Sequence, residues 1–152
     1  MVTSTMLARC SEGGSVRDEA ERRVVHTGMA YVFLAGVVLQ PFLIGLWLFG
    51  AVSTSDLHTS LGYFLLIPGC PLLLLAALFG RLPRREMLLT LAVIVDTFVQ
   101  VSLPSFRADL PAVAALHPVN FLVLVIMLWT LGRWDRLLLH GDAGAASSAP
   151  AV

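Results

Sequence analysis

Long apolar stretches alternate with short polar ones along the chain. No Asp, Glu, Lys or Arg occurs from Val24 to Ser55, from Leu57 to Gly80, or from Leu110 to Gly132. A fourth stretch, Met87 to Phe106, is interrupted only by Asp96. Each reaches the ~20 residues that a helix needs to cross about 30 Å of hydrocarbon. Lipid offers the backbone no hydrogen-bond partners, so such spans are helical. The pattern predicts an all-α, integral membrane four-helix bundle, up-down-up-down, with spans near 25–49, 56–80, 86–105 and 111–132.

The polar punctuation agrees. Gly50 to Asp56 reads as a turn, with Ser55 or Asp56 capping the second helix. Arg81 to Glu86 reads as a short charged loop whose Pro83 cannot continue the second helix. Leu103 to Asp109 separates the third span from the fourth, and Pro111 suits a first turn. Pro41, Pro68 and Pro71 predict kinks, since membrane helices tolerate proline, and Pro118 falls near the start of the fourth span. Residues 1–21 and 139–152 read as disordered tails around a transmembrane domain at 22–138.

Composition sharpens this reading. Hydrophobic residues make up 57% of the chain and charged ones 13%, and ten Arg balance ten acids without a single Lys. A net charge of zero removes the electrostatic case for nucleic acid. Nine of the ten Arg lie in the N-terminal tail, the middle loop and the C-terminal flank; only Arg107 lies in the other loops. The positive-inside rule therefore puts both termini on the cytoplasmic side of a plasma-membrane, multi-pass protein. Trp47, Trp129 and Trp134 sit where interfacial anchors belong. The first span exceeds a signal-peptide core and reads as an uncleaved anchor. Cys10 and Cys70 fall in different compartments of this topology, so no structural disulfide is expected.

A two-fold repeat of a two-helix unit emerges from the polar residues. Leu39-Gln40 is followed by Leu57-His58, and Val99-Gln100 by Leu116-His117, with Gln-to-His spacings of 18 and 17 residues. In such a bundle the second and fourth helices lie diagonally across the core. Two imidazoles meeting there form the axial pair of a b-type haem or part of a metal site. On this reading His58 and His117 are the axial ligands, through which the chain would hold the haem iron. Gln40, Gln100 and Asn120 orient them, Gly62 clears space for a macrocycle, and Arg107 meets a propionate. The plain alternative has the histidines and glutamines only linking helices, Gly62 and Gly69 serving packing, and Arg107 solvated. Depth opposes the haem reading: if the helices start flush just after Asp56 and at Leu110, the two imidazoles differ by about 9 Å.

Asp96, an intramembrane carboxylate, reads as a proton or cation site, or as a protonated carboxyl bonded to Gln100, Thr97 or a neighbouring hydroxyl. His26 and His140 have no histidine partner at their depth, so no second haem is expected at the inner end. No GxSxG, P-loop, HExxH or paired-carboxylate arrangement occurs, which leaves enzyme chemistry without a sequence basis.

The segments VVLQPFLIG, DLHTSLGYFLL and AALHPVNFLVL, with the Arg-rich loop and the third-helix Gln, are similar to a bacterial domain-of-unknown-function family of small four-helix membrane proteins. The likeness spans roughly residues 22–138 and is carried by Gln40, His58, Gly62, Gln100, His117 and Asn120. It implies topology and no activity. More distantly, the chain resembles one four-helix half of haem A synthase and membrane b-type cytochromes, which implies haem ligands on the second and fourth helices at His58 and His117. The loop carboxylate and cysteine pair associated with the synthase are missing, so synthase activity is not implied. Three readings stand open. One is a bis-histidine haem b protein in electron transfer or haem handling, with a membrane redox partner or a second copy of itself. The second is a non-enzymatic membrane subunit or scaffold, and the third is a small ion-binding protein using Asp96.

Overall fold

The computed structural model describes the backbone of residues 3–147 and the side chains of residues 21–134. Helix α1 runs Thr3–Leu48, α2 Asp56–Phe64, α3 Cys70–Phe79, α4 Arg84–Ser102, α5 Pro111–Ala114 and α6 His117–Ser147. A π turn at Leu65–Gly69 joins α2 to α3, and a 3-10 turn at Leu103–Arg107 follows α4. There is no strand among the described residues. Four segments are long and apolar enough to cross a membrane: Glu21–Leu48, Asp56–Phe79, Arg84–Arg107 and Pro111–Trp134.

At the ends, α1 and α6 take in the backbones of residues 3–20 and 139–147. Extending a nucleated helix costs little per residue, so polar composition alone does not end one. The remaining tail residues, 1–2 and 148–152, and the side chains of Cys10 and His140 lie outside the described residues.

Successive spans pack against each other and α1 packs along α6, which closes the ring and sets the second span diagonal to the fourth. Ala30, Phe33, Leu34 and Val37 of α1 meet Leu65, Cys70, Leu73, Val93, Leu124, Leu128 and Leu131 in a buried apolar middle. The outward surface is also apolar, with Val32, Phe42, Ile67, Phe98 and Ile126 all exposed, as suits a bundle solvated by lipid. Two glycines let helices come close. A Cβ on Gly36 would stand 2.9 Å from Leu65, and one on Gly132 would stand 2.8 Å from the Tyr31 ring.

The prolines decide where the helices yield. Pro41 leaves α1 continuous. Pro68 has no N–H for the Phe64 carbonyl, and Pro71 none for that of Ile67, so the ladder slips and Cys70 N–H bonds Leu65 five residues back. Pro118 removes the donor for the Ala114 carbonyl and crowds it. Helix α5 accordingly stops at Ala114, and α6 begins afresh at His117. Asn120 N–H returns to the Leu116 carbonyl at 2.8 Å, closing the first turn of α6.

Two helix ends close by the same hydrogen-bond pattern with different residues. After α1, Gly50 takes a left-handed φ of 75°. Gly50 N–H bonds Trp47 O at 3.0 Å and Ala51 N–H bonds Leu46 O at 2.8 Å, the Schellman arrangement. After α3 the left-handed residue is Arg81, with φ 47°. Arg81 N–H bonds Leu78 O at 3.1 Å and Leu82 N–H bonds Ala77 O at 3.3 Å. A Cβ in this conformation costs about 1 kcal/mol relative to glycine. Arg81→Gly should therefore raise stability in detergent by up to about 1 kcal/mol, whereas Arg81→Ala should not. Thermal unfolding of both variants checks this; equal melting temperatures would contradict it.

Candidate functional site

The break that Pro118 imposes changes the depth of His117. Since α5 is a separate turn, His117 is the first residue of α6, just as His58 is the third of α2. The expected 9 Å offset rested on a fourth helix continuous from Leu110, and the structure corrects it. The His58 and His117 rings stand 6.0 Å apart between centroids, inclined at 74°.

Each imidazole is held by a backbone carbonyl from the preceding span. The Nδ1–H of His117 donates to Gln100 O at 2.9 Å, and that of His58 donates to Gln40 O at 3.2 Å. A carbonyl only accepts, so in the neutral imidazoles Nδ1 carries the proton and Nε2 keeps its lone pair. The two anchors are unequal for a local reason. The natural helical donor to Gln100 O would come from residue 104, which is Pro104 and has no N–H. Residue 44, the corresponding donor to Gln40 O, is Ile44 and keeps its N–H. His117 therefore supplies the bond that its neighbouring helix lacks.

The glutamine side chains differ as well. Gln100 Nε2 donates to His117 O at 3.0 Å and lies 3.5 Å from His117 Nε2. Gln100 Oε1 accepts from Asn120 Nδ2 at 2.9 Å. Gln40 Oε1 is buried without a hydrogen bond. Its Nε2 would stand 3.3 Å from a Cβ on Gly62, so Gly62 gives room to the Gln40 amide, and the expected clearance for a macrocycle is not open there. Gly69 packs against Phe33, where a Cβ would stand 3.2 Å from the ring. Arg107 is exposed in the 3-10 turn.

Asp96 lies within hydrogen-bonding reach of Asn120. Its expected partners are engaged elsewhere: Thr97 Oγ1 donates to Val93 O at 2.7 Å, and Gln100 binds α6. Asp96 Oδ2 is buried without a hydrogen bond. Asp96, Asn120, Gln100 and His117 thus form one polar strip between α4 and α6, ending at His58.

A second polar cluster at the opposite end was missed by sequence reasoning. His26 is fully buried, and Thr27, Glu86 and Thr90 are buried with it. His26 Nε2 lies 3.4 Å from Thr90 Oγ1. Thr90 is the partner that a search for a second histidine overlooked, and Glu86 lies in the first turn of α4, not in a loop. A signal was present, since Glu86 follows His26 by the same 60 residues that separate Gln40 from Gln100.

Among the described residues no group of three or more His, Cys, Asp or Glu side chains is placed to hold a metal ion. The arrangement thus defines a membrane-span-length helical bundle with one half-buried imidazole pair near one end and, among the described residues, no cluster of three or more metal-ligating side chains. In comparison with known proteins, residues 40–108 match a family of unknown function, DUF6220. The matched segment is under half of the chain; it contains Gln40, His58, Gly62, Asp96 and Gln100 and stops short of His117. No curated protein and no solved structure gives a significant match.

The unequal hydrogen bonding of the two glutamines yields a prediction. Gln100→Leu strands the Asn120 amide and should cost about 1–3 kcal/mol, whereas Gln40→Leu, which removes an unsatisfied atom, should be near neutral. Melting temperatures of the two variants in detergent would show the difference, and equal losses would contradict the asymmetry.

Proposed function

We propose that the chain is a small multi-pass plasma-membrane protein whose core holds one b-type haem between His58 and His117 for one-electron transfer or haem handling. The observation that carries this reading is the imidazole pair, 6.0 Å between centroids with both Nδ1 atoms committed to carbonyls. Two imidazoles bound end-on to one metal at about 2 Å each put their centroids about 6 Å apart. The Nδ1 bonds would hold the rings in the tautomer that presents Nε2 and make that nitrogen a better donor. A bound haem would supply reversible one-electron chemistry. A membrane redox partner or second copy would exchange the electron.

The buried positions fit a tandem repeat of a two-helix unit. On α1 and α4 they pair at an offset of 60: 26 with 86, 30 with 90, 33 with 93 and 37 with 97. On the second and fourth spans 65, 69 and 73 pair with 124, 128 and 132 at an offset of 59, the offset that relates His58 to His117. The arginine distribution favours cytoplasmic termini.

One observation favours the second reading, a scaffold or subunit without a cofactor. The Gln100 amide already lies against His117 Nε2, and Gln40 fills the space beside Gly62. Ligation would require the Gln100 amide to turn aside.

The two readings part on one measurement. Protein purified in mild detergent from haem-supplemented cells should show a Soret band and sharp low-spin bands on reduction. His58→Ala and His117→Ala should lose most of that absorbance while keeping their helical content. A colourless, helical wild-type protein would overturn the haem reading and leave the scaffold in front.

A further inference from the structure

The end of the bundle remote from the imidazole pair carries a surface of arginine. Arg81 lies in the turn after α3, Arg84 and Arg85 open α4, and all three side chains are exposed. Arg22 on α1 and Arg133 on α6 are exposed at the same end. Acids offset little of this charge. Glu86, the acid of the turn, is only 4% exposed, and among the described residues the exposed acid at this end is Glu21, across the bundle on α1. The second span ends at Phe79 and the third begins at Arg84, so the guanidinium groups of the turn stand at headgroup level.

Arg81 sits under strain. It takes the left-handed φ of 47° that glycine adopts more easily, as Gly50 does in the matching turn after α1. The turn itself does not need an arginine, because buried Leu82 and two backbone hydrogen bonds to α3 fix it. A strained residue kept at an exposed position points to a role outside the fold. Just below the arginines the surface becomes apolar. On α3, Leu78 and Phe79 are 54% and 69% exposed; on α4, Leu88 lies one turn from Arg84 and is 55% exposed, and Leu91 and Val95 continue its stripe. Helices α3 and α4 pack side by side, and Arg85 lies 3.9 Å over the Trp134 ring of α6, which fixes its position.

We propose that Arg81, Arg84 and Arg85 form a headgroup site for one anionic phospholipid, whose acyl chains lie on the exposed apolar surface of α3 and α4. A cationic cluster above an outward hydrocarbon wall is the complement of an amphiphile with a negative head and apolar tails. A guanidinium offers phosphate oxygens a pair of parallel N–H donors, which an ammonium does not, and every cation of this chain other than histidine is arginine. The apolar wall selects a lipid over a free phosphate ion, and the short turn, carrying three of the five exposed arginines, selects one place on this end over its general charge.

The test is native mass spectrometry of the full chain in mild detergent, with equal amounts of dioleoyl phosphatidylglycerol and dioleoyl phosphatidylcholine. The wild-type chain should retain the anionic lipid in preference. Arg84→Gln combined with Arg85→Gln should lower that preference about tenfold with helical content unchanged. Arg22→Gln combined with Arg133→Gln removes the same charge from the same end and should lower it by less than about threefold. Arg81→Gly separates stability from binding: it should melt higher without lipid and yet hold the anionic lipid more weakly than the wild type. Equal retention of the two lipids, equal losses in the two double variants, unchanged retention in Arg81→Gly, or release of the lipid by millimolar inorganic phosphate would each overturn the proposal.

Discussion

The carbonyl of Gln100 cannot be satisfied by its own helix, and much of the core arrangement follows from that. In water the loss of one i→i+4 donor to Pro104 would be repaired by solvent. In a lipid-solvated bundle the repair has to come from protein, because an unbonded backbone group there costs several kcal/mol. The imidazole of His117 supplies it, at 2.9 Å. Once Nδ1 is committed, ring orientation and tautomer are set, and Nε2 is left with its lone pair. Gln100 then reaches back to the His117 carbonyl and takes up Asn120. A missing N–H thus organises a polar strip that reaches from Asp96 to His58.

The same logic acts at Pro118 with a different result. There the proline falls near the end of the membrane-span segment, where the backbone can reorganise as a tight turn. The fourth span divides into α5 and α6, with Leu116 N–H on Val113 O and Asn120 N–H on Leu116 O. The division puts the start of the main helix at His117, whose ring stands 6.0 Å from that of His58. Two prolines in the second half, one leaving a carbonyl for His117 and the other bringing His117 to it, therefore act on the same contact. In the first half, Pro41 does neither, and its histidine anchor is the longer of the two.

Much of this was legible in the chain because the governing signals are local. Spans follow from uncharged runs, and the Gln and His positions follow from their matching spacing. What composition could not convey was the effect of a proline on its fourth residue back. Treating the fourth span as one helix from Leu110 placed His117 two turns too deep. His26 was misread for a related reason: its depth was compared only with other histidines, while the structure pairs it with a threonine hydroxyl. Gly62 was read as clearance for a macrocycle, and in the structure the Gln40 side chain of the neighbouring span lies beside it.

The two polar clusters also explain why the apolar middle matters. Val93 is fully buried between Thr90 and Thr97 on the inward face of α4, a face that is otherwise polar from Glu86 to Gln100. Without the plug of Phe33, Val93, Leu124 and Leu128 those side chains would form one continuous polar path across the bundle. With it, the imidazole pair and the cluster of His26, Glu86 and Thr90 are kept apart at opposite ends of the bundle. A bundle of four helices is too thin to hold a water-filled channel and stay packed. Confining polar groups to its two ends, most of them bonded to backbone or side-chain partners, is how so small a core can carry ionisable residues and remain closed.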